Sequence, residues 1–156
     1  MIKVLFVCLG NICRSPMAEA VFRKLVEDRG LSHKITIDSA GTGNWHVGEP
    51  PHEGTRGVLS ERNISYSGQK ARQLRQSDLT DFDYLIGMDA ENIGNMHRMA
   101  SQRKTGRIAR LLDFVPRSEF EDVPDPYFTG NFQEVYDLVT EGCENLLNEI
   151  VRRESL

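Results

Sequence analysis

Apolar positions fall in two patterns along the chain: short continuous runs, and stretches in which they return every three or four residues. Val4 to Val7 is an unbroken apolar run of the kind expected for a parallel strand buried on both faces. Ile35 to Ile37, Tyr84 to Met88 and Ile108 to Leu112 read as three further strands. Between them, Met17 to Arg29 predicts an amphipathic helix with Ala18, Val21, Phe22 and Leu25 on one face and Gly30 as its stop. A helix around Val58 and Leu59 frays out by Asn63, and Ser77 and Asp78 open a brief helical turn. Asp89 is a good N-cap for a helix reaching about Met99. Asn131 with Glu134 has the spacing of a capping box ahead of a last helix, from Phe132 to about Arg153. Its stripe of Phe132, Val135, Val139, Cys143, Leu146, Leu147 and Ile150 is at helical spacing.

Strands alternating with helices imply a single-domain α/β fold over residues 1–156: a doubly wound, four-stranded parallel sheet with helices on both faces. Ligands in such folds bind beyond the carboxyl ends of the strands. The segment after Val7 lies there, and so does the Gly- and Pro-rich loop from Ala40 to Gly54 with Trp45, His46 and His52. Gln69 to Arg75 is polar and basic, and Pro116 to Gly130 is a long acidic loop.

Composition narrows the function. With 39% hydrophobic and 27% charged residues the chain reads as an ordinary soluble globular protein. A net charge of -4 argues against a nucleic-acid partner and means that an anionic substrate must be captured by local positive potential. No apolar run approaches the ~20 residues of a membrane span, and no charged leader with a cleavage site precedes the first strand. Three cysteines, two of them at 8 and 13, do not form a secreted disulfide framework. A reducing, cytoplasmic compartment and a monomer are the expectation.

The chemistry concentrates in Cys8-Leu-Gly-Asn-Ile-Cys-Arg-Ser-Pro16. A strand, a short loop and a helix opened by Ser15 and Pro16 make an anion site, because unpaired backbone N–H groups point at whatever sits there. Gly10 and Asn11 are residues that reach unusual backbone angles cheaply. Cys8 opens this phosphate-binding loop, and its donors, a guanidinium and a helix N-terminus all favour a nucleophilic thiolate. Arg14 can hold two non-bridging phosphate oxygens at once. There is no Gly-Lys-Ser/Thr, so a Walker-type nucleotide loop has little support. The four histidines lack metal-ligand spacing; His46 and His52 read as loop or surface residues, and no metal or other cofactor is expected.

This loop resembles the active-site loop of the low-molecular-weight protein tyrosine phosphatases, of the bacterial type. The likeness continues through Asp38 to Gly41, Trp45 to Gly48, Ala71 to Gln73, Met88-Asp89 and Asp125-Pro-Tyr127, and so covers nearly the whole chain. The resemblance implies a cysteine nucleophile at Cys8, phosphate binding by Leu9 to Ser15 with Arg14 as the cation, and Asp125 as general acid and base. It implies supporting hydrogen bonds from Asn11, Ser15 and Ser39, and a pocket rim of Leu9, Ile12, Trp45 and Tyr127 suited to an aryl phosphate. Cys13 would pair with Cys8 under oxidation and shield it. Substrate would be a phosphotyrosine protein or small aryl phosphate, with inorganic phosphate as product.

Two rivals share this frame. Relatives acting on phosphoarginine carry threonine where this chain has Ile12, so a protein-arginine phosphatase is the alternative. A thiol-dependent arsenate reductase would need relay cysteines, and positions 40 to 130 contain none. Two departures from the family stand out: Phe128 replaces a second tyrosine after Asp-Pro-Tyr, and Gln69 stands where some members have a loop-bracing histidine.

Overall fold

The computed structural model describes residues 1–156. Four parallel strands form one sheet in the order β2-β1-β3-β4: β1 (Ile2–Cys8), β2 (Ile35–Gly41), β3 (Tyr84–Gly87) and β4 (Arg107–Arg110). The helices are α1 (Arg14–Asp28), α2 (Glu53–Glu61), α3 (Asp78–Asp81), α4 (Ala90–Ala100), α5 (Pro126–Thr129) and α6 (Phe132–Arg153).

Side chains of β1 alternate across the sheet, as extended backbone requires. Val4, Phe6 and Cys8 join Tyr84 and Ile86 in the core beneath α1 and α6. Leu5 and Val7 join Leu85 on the other face, against Leu79 of α3 and Met96 of α4. Both faces are therefore covered, which explains why the strand reads as a continuous apolar run. The strand order reverses at β1, and the crevice beyond its carboxyl end is where Cys8 sits.

Several boundaries differ from the sequence-based expectation. The first helix starts at Arg14, not Met17, so Pro16 occupies its third position, still in the first turn where no intrahelical N–H is lost. β2 runs on to Gly41 because it pairs with β1 along its whole length, up to Cys8 opposite Gly41. β4 stops at Arg110, and Leu111–Phe114 is a 3₁₀ turn that buries both leucines. The acidic loop ends in the single helical turn α5, capped by Asp125. Asn131 accepts from the Glu134 amide at 3.1 Å, which is the Asn131 half of the expected capping box.

Leu147 of α6 is fully buried in the core shared with α1. Leu147→Ala should cost about 3 kcal/mol of stability. A fall of roughly 6–12 °C in Tm, read by calorimetry, is the expected outcome for a chain of this size.

Candidate active site

The loop between β1 and α1 turns its carbonyls outward. Cys8 O accepts from the Thr42 amide at 2.9 Å, Leu9 O from Gly43 at 2.9 Å and Ile12 O from His52 at 2.7 Å. Cys13 O is taken by the Thr55 hydroxyl at 3.1 Å. These acceptors are spent on the surrounding loop, and the Asn11 amide donates inward to Cys8 Sγ at 3.3 Å. Asn11 adopts a left-handed backbone, φ 57°, the turn expected of it. Gly10 does not have a positive φ. Its lack of a side chain serves another need, because a Cβ there would meet the His46 ring at 3.1 Å.

Behind the loop runs a chain of buried hydrogen bonds. Cys8 Sγ and Ser15 Oγ lie 2.9 Å apart. Asn11 Nδ2 donates to Ser15 Oγ at 2.8 Å and to Ser39 Oγ at 3.0 Å. Ser39 Oγ in turn donates to Glu19 Oε1 at 2.6 Å. The directions are fixed from the carboxylate end: Glu19 takes the Ser39 proton, Ser39 accepts from Asn11, and the Ser15 hydroxyl is left to donate to sulfur. Asn11 Oδ1 accepts from the Arg72 amide at 3.0 Å, and Arg72 is itself held by Asp38 and Asp78. Gln69 braces the helix start by donating to Pro16 O at 3.1 Å.

Arg14 is 2% exposed. Its Nη1 donates to Asp89 Oδ2 at 2.7 Å and to Val123 O at 3.0 Å, while Nη2 reaches Asp125 Oδ2 at 3.4 Å. Burial works against its charge, but Cys8, Asp89 and Asp125 outweigh it and raise the guanidinium above its ordinary range. Nε is buried and has no partner. The Nε–Nη2 edge is thus the part of the fork open to an oxyanion. Asp125 caps α5 through Oδ1, which accepts from the Tyr127 amide at 3.1 Å.

A cavity of about 370 Å³ opens over Cys8 and Arg14, with Leu9, Ile12, Trp45, Asp125, Tyr127 and Phe128 on its walls. Trp45, Tyr127 and Phe128 are largely exposed, and the last two meet edge to face at 5.4 Å. All the expected site residues therefore converge on one pocket or on the hydrogen-bond chain behind it. Ser39 belongs to the chain.

Four contributors were not expected here. Asp89 is not only the α4 N-cap, since its second oxygen holds Arg14. Glu19 terminates the buried chain; it lies one helical turn after Ser15, the one sequence signal that could have marked it. His46 lines the pocket with Nδ1 2.8 Å from Glu49, and His52 caps α2 while stacking on Phe132 at 5.0 Å. Both histidines lie in loops, and their rings flank Tyr127 at 6.0 and 6.1 Å, a place beside the pocket rim that the sequence did not mark.

A doubly wound sheet carrying this cysteine–arginine loop at its switch point has the architecture of a cysteine-dependent phosphatase. Residues 3–156 match the model of a family described as low molecular weight phosphotyrosine protein phosphatase. Over 156 residues, all of both chains, the sequence is 58% identical to the low molecular weight protein-tyrosine-phosphatase YfkJ of Bacillus subtilis (strain 168). The crystal structure of YfkJ superposes with a TM-score of 0.96 at 59% identity, covering 98% of this chain and 96% of that one. PtpA of Staphylococcus aureus (strain Newman), also a low molecular weight protein-tyrosine-phosphatase, is 47% identical across 100% of this chain and 98% of its own. A Drosophila arginine phosphatase superposes at a TM-score of 0.88 with 36% identity, over 95% of this chain and 97% of that one. The chain belongs to the low molecular weight protein-tyrosine-phosphatase family. No helix is long and apolar enough to cross a membrane.

All three cysteines are free and buried. Burial, then the neighbouring Cys8 and Asp125, push the Cys13 thiol up to about 12 against the opposing pull of Arg14. Burial also raises Cys143. Cys13 therefore stays a protonated thiol until the pH approaches that value, whereas Cys8 Sγ faces the Asn11 amide and the Ser15 hydroxyl at the floor of the cavity. At pH 7, iodoacetate should label one cysteine, Cys8, and inorganic phosphate should protect it; peptide mapping by mass spectrometry checks both points.

Proposed function

We propose that this chain hydrolyses phosphotyrosine in proteins in two steps, with Cys8 as nucleophile, Arg14 as phosphate ligand and Asp125 as general acid and base. Cys8 attacks phosphorus in line. Arg14, through Nε and Nη2, and the amides of Leu9 to Ser15 hold the equatorial oxygens as charge spreads over them. Asp125 protonates the departing tyrosine oxygen, then as a carboxylate takes a proton from the water that hydrolyses the cysteinyl phosphate and releases inorganic phosphate. Ser15 donates to Cys8 Sγ and eases its departure in the second step.

The observation that carries this reading is the convergence of Cys8, Arg14 and Asp125 on one cavity with aromatic walls. A phenyl ring can reach the sulfur between Trp45 and Tyr127, and a depth set by the rim disfavours the shorter phosphoserine. Ile12, 7% exposed, presents an apolar wall with no acceptor for the guanidinium of phosphoarginine. Cys13, in the same loop, would close a disulfide with Cys8 under oxidising conditions and protect it from over-oxidation.

Phosphate release from phosphotyrosine and phosphoarginine peptides, with and without chelator, tests the reading. Phosphotyrosine should be turned over at least tenfold faster. Cys8→Ser should abolish release, and Asp125→Asn should lower kcat/KM for phosphotyrosine by on the order of 10²-fold or more. Faster release from phosphoarginine would transfer the assignment to that substrate.

A further inference from the structure

We propose that Asp122 is a positioning residue for Asp125: it ties the acid-bearing loop to Arg110 and to the start of α4, and so sets the carboxyl against Arg14. The proposal rests on the reading of Asp125 as the proton donor. Asp122 Oδ1 accepts from the Ala90 amide at 3.0 Å and from Arg110 Nη1 at 3.3 Å. Arg110 is not a loose surface cation. Its Nε donates to Asp113 at 3.3 Å, and its backbone amide donates to the same carboxylate at 3.0 Å. It stands at the end of β4 and starts the 3₁₀ turn, so Asp122 is fastened to the edge of the sheet.

The next residue completes a ring. The Val123 amide donates to Met88 O at 2.9 Å, and Val123 O accepts from Arg14 Nη1 at 3.0 Å. The same Nη1 donates to Asp89. Two adjacent residues of the acid loop, Asp122 and Val123, thus grip Ala90 and Met88, on either side of Asp89, and Arg14 closes the circuit by bonding both Val123 O and Asp89. Asp125 follows at once through Pro124, with Pro126 after it. Both prolines fix φ, so a change of direction at Asp122 passes to Asp125 with little slack. Without the Asp122 bonds, the loop keeps Val123, the long 3.8 Å contact of exposed Glu121 with Arg110 and the 3.4 Å contact of Asp125 with Arg14. Its short ties are then left at Val123, about which it can pivot. The Ala90 amide, in the first turn of α4, would also lose its partner.

A merely structural role would slow all substrates alike. A role in placing the acid must instead depend on the leaving group, because p-nitrophenolate departs with little proton transfer while a tyrosine phenolate, whose conjugate acid has a pKa near ~10, needs it. The quantity to measure is kcat/KM for phosphotyrosine and for p-nitrophenyl phosphate, which covers the step in which the phenol leaves. For Asp122→Ala, the loss on phosphotyrosine should exceed the loss on p-nitrophenyl phosphate by about tenfold, a tenth or less of the general-acid contribution. Asp122→Asn keeps an oxygen for both donors and should recover most of it; Arg110→Ala should reproduce part. Equal losses on both substrates, no loss on either, or no recovery in Asp122→Asn would overturn the proposal. Asp125→Asn, measured beside them, separates two failures. If it shows the leaving-group effect and Asp122→Ala does not, only the positioning role falls. If Asp125→Asn also lacks it, the proton-donor reading falls as well.

Discussion

A guanidinium buried to 2% exposure is the constraint on which the rest of the site depends. A charge so placed is costly unless it is paired and hydrogen-bonded, and arginine cannot shed its proton to escape. Arg14 is satisfied by groups from two other corners of the fold: Asp89 where β3 meets α4, and Val123 in the acidic loop. Those corners must converge on the β1–α1 loop for the charge to be tolerated. Convergence is therefore a condition of folding, and the donors that would stabilise a phosphoryl transition state are in place before any substrate arrives. What remains unpaired on Arg14, the Nε edge, is the part a phosphate would use.

The alternation of β1 supplies the other half of the arrangement. Val4, Phe6 and Cys8 point to the α1/α6 side, Leu5 and Val7 to the α4 side. Cys8 is thus the last member of a core row, still packed among apolar neighbours while its sulfur meets the loop donors. The same row that holds the sheet to α6 holds Cys8 in position, which links core packing to the geometry of the loop.

Legibility from sequence followed locality. The apolar runs, the helical stripe of α6 and the contiguous stretch from Cys8 to Pro16 were readable because each states its pattern within a few residues. Ser39 needed the family likeness, since nothing in its neighbourhood announces a bond to Asn11. Asp89 was readable as an N-cap, which accounts for Oδ1 and its bond to the Asn92 amide; the use of Oδ2 depends on a residue 75 positions away. Gly10 was assigned a backbone reason when its actual reason is the His46 ring packed across it. The histidines were tested against metal spacing, a pattern along the chain, whereas their place around Tyr127 is a pattern in space. Strand ends moved for the same reason: β2 extends as far as β1 offers a partner, not as far as its own apolar residues.

Asp125 draws these strands together. In the free protein one of its oxygens caps α5 and the other lies 3.4 Å from Arg14 Nη2. A phosphate dianion entering the loop would take that nitrogen for itself. Asp125 would then exchange a positive neighbour for a negative one, which favours the neutral carboxyl. Under the proposed mechanism, substrate binding would thus favour the protonated form of Asp125 at the moment when a leaving phenolate needs a proton. Once the phenol had gone with that proton, the carboxylate would stand beside the cysteinyl phosphate as the base that the proposed second step requires. A single buried cation, contested between a carboxylate and a phosphate, would then order the two proposed proton transfers.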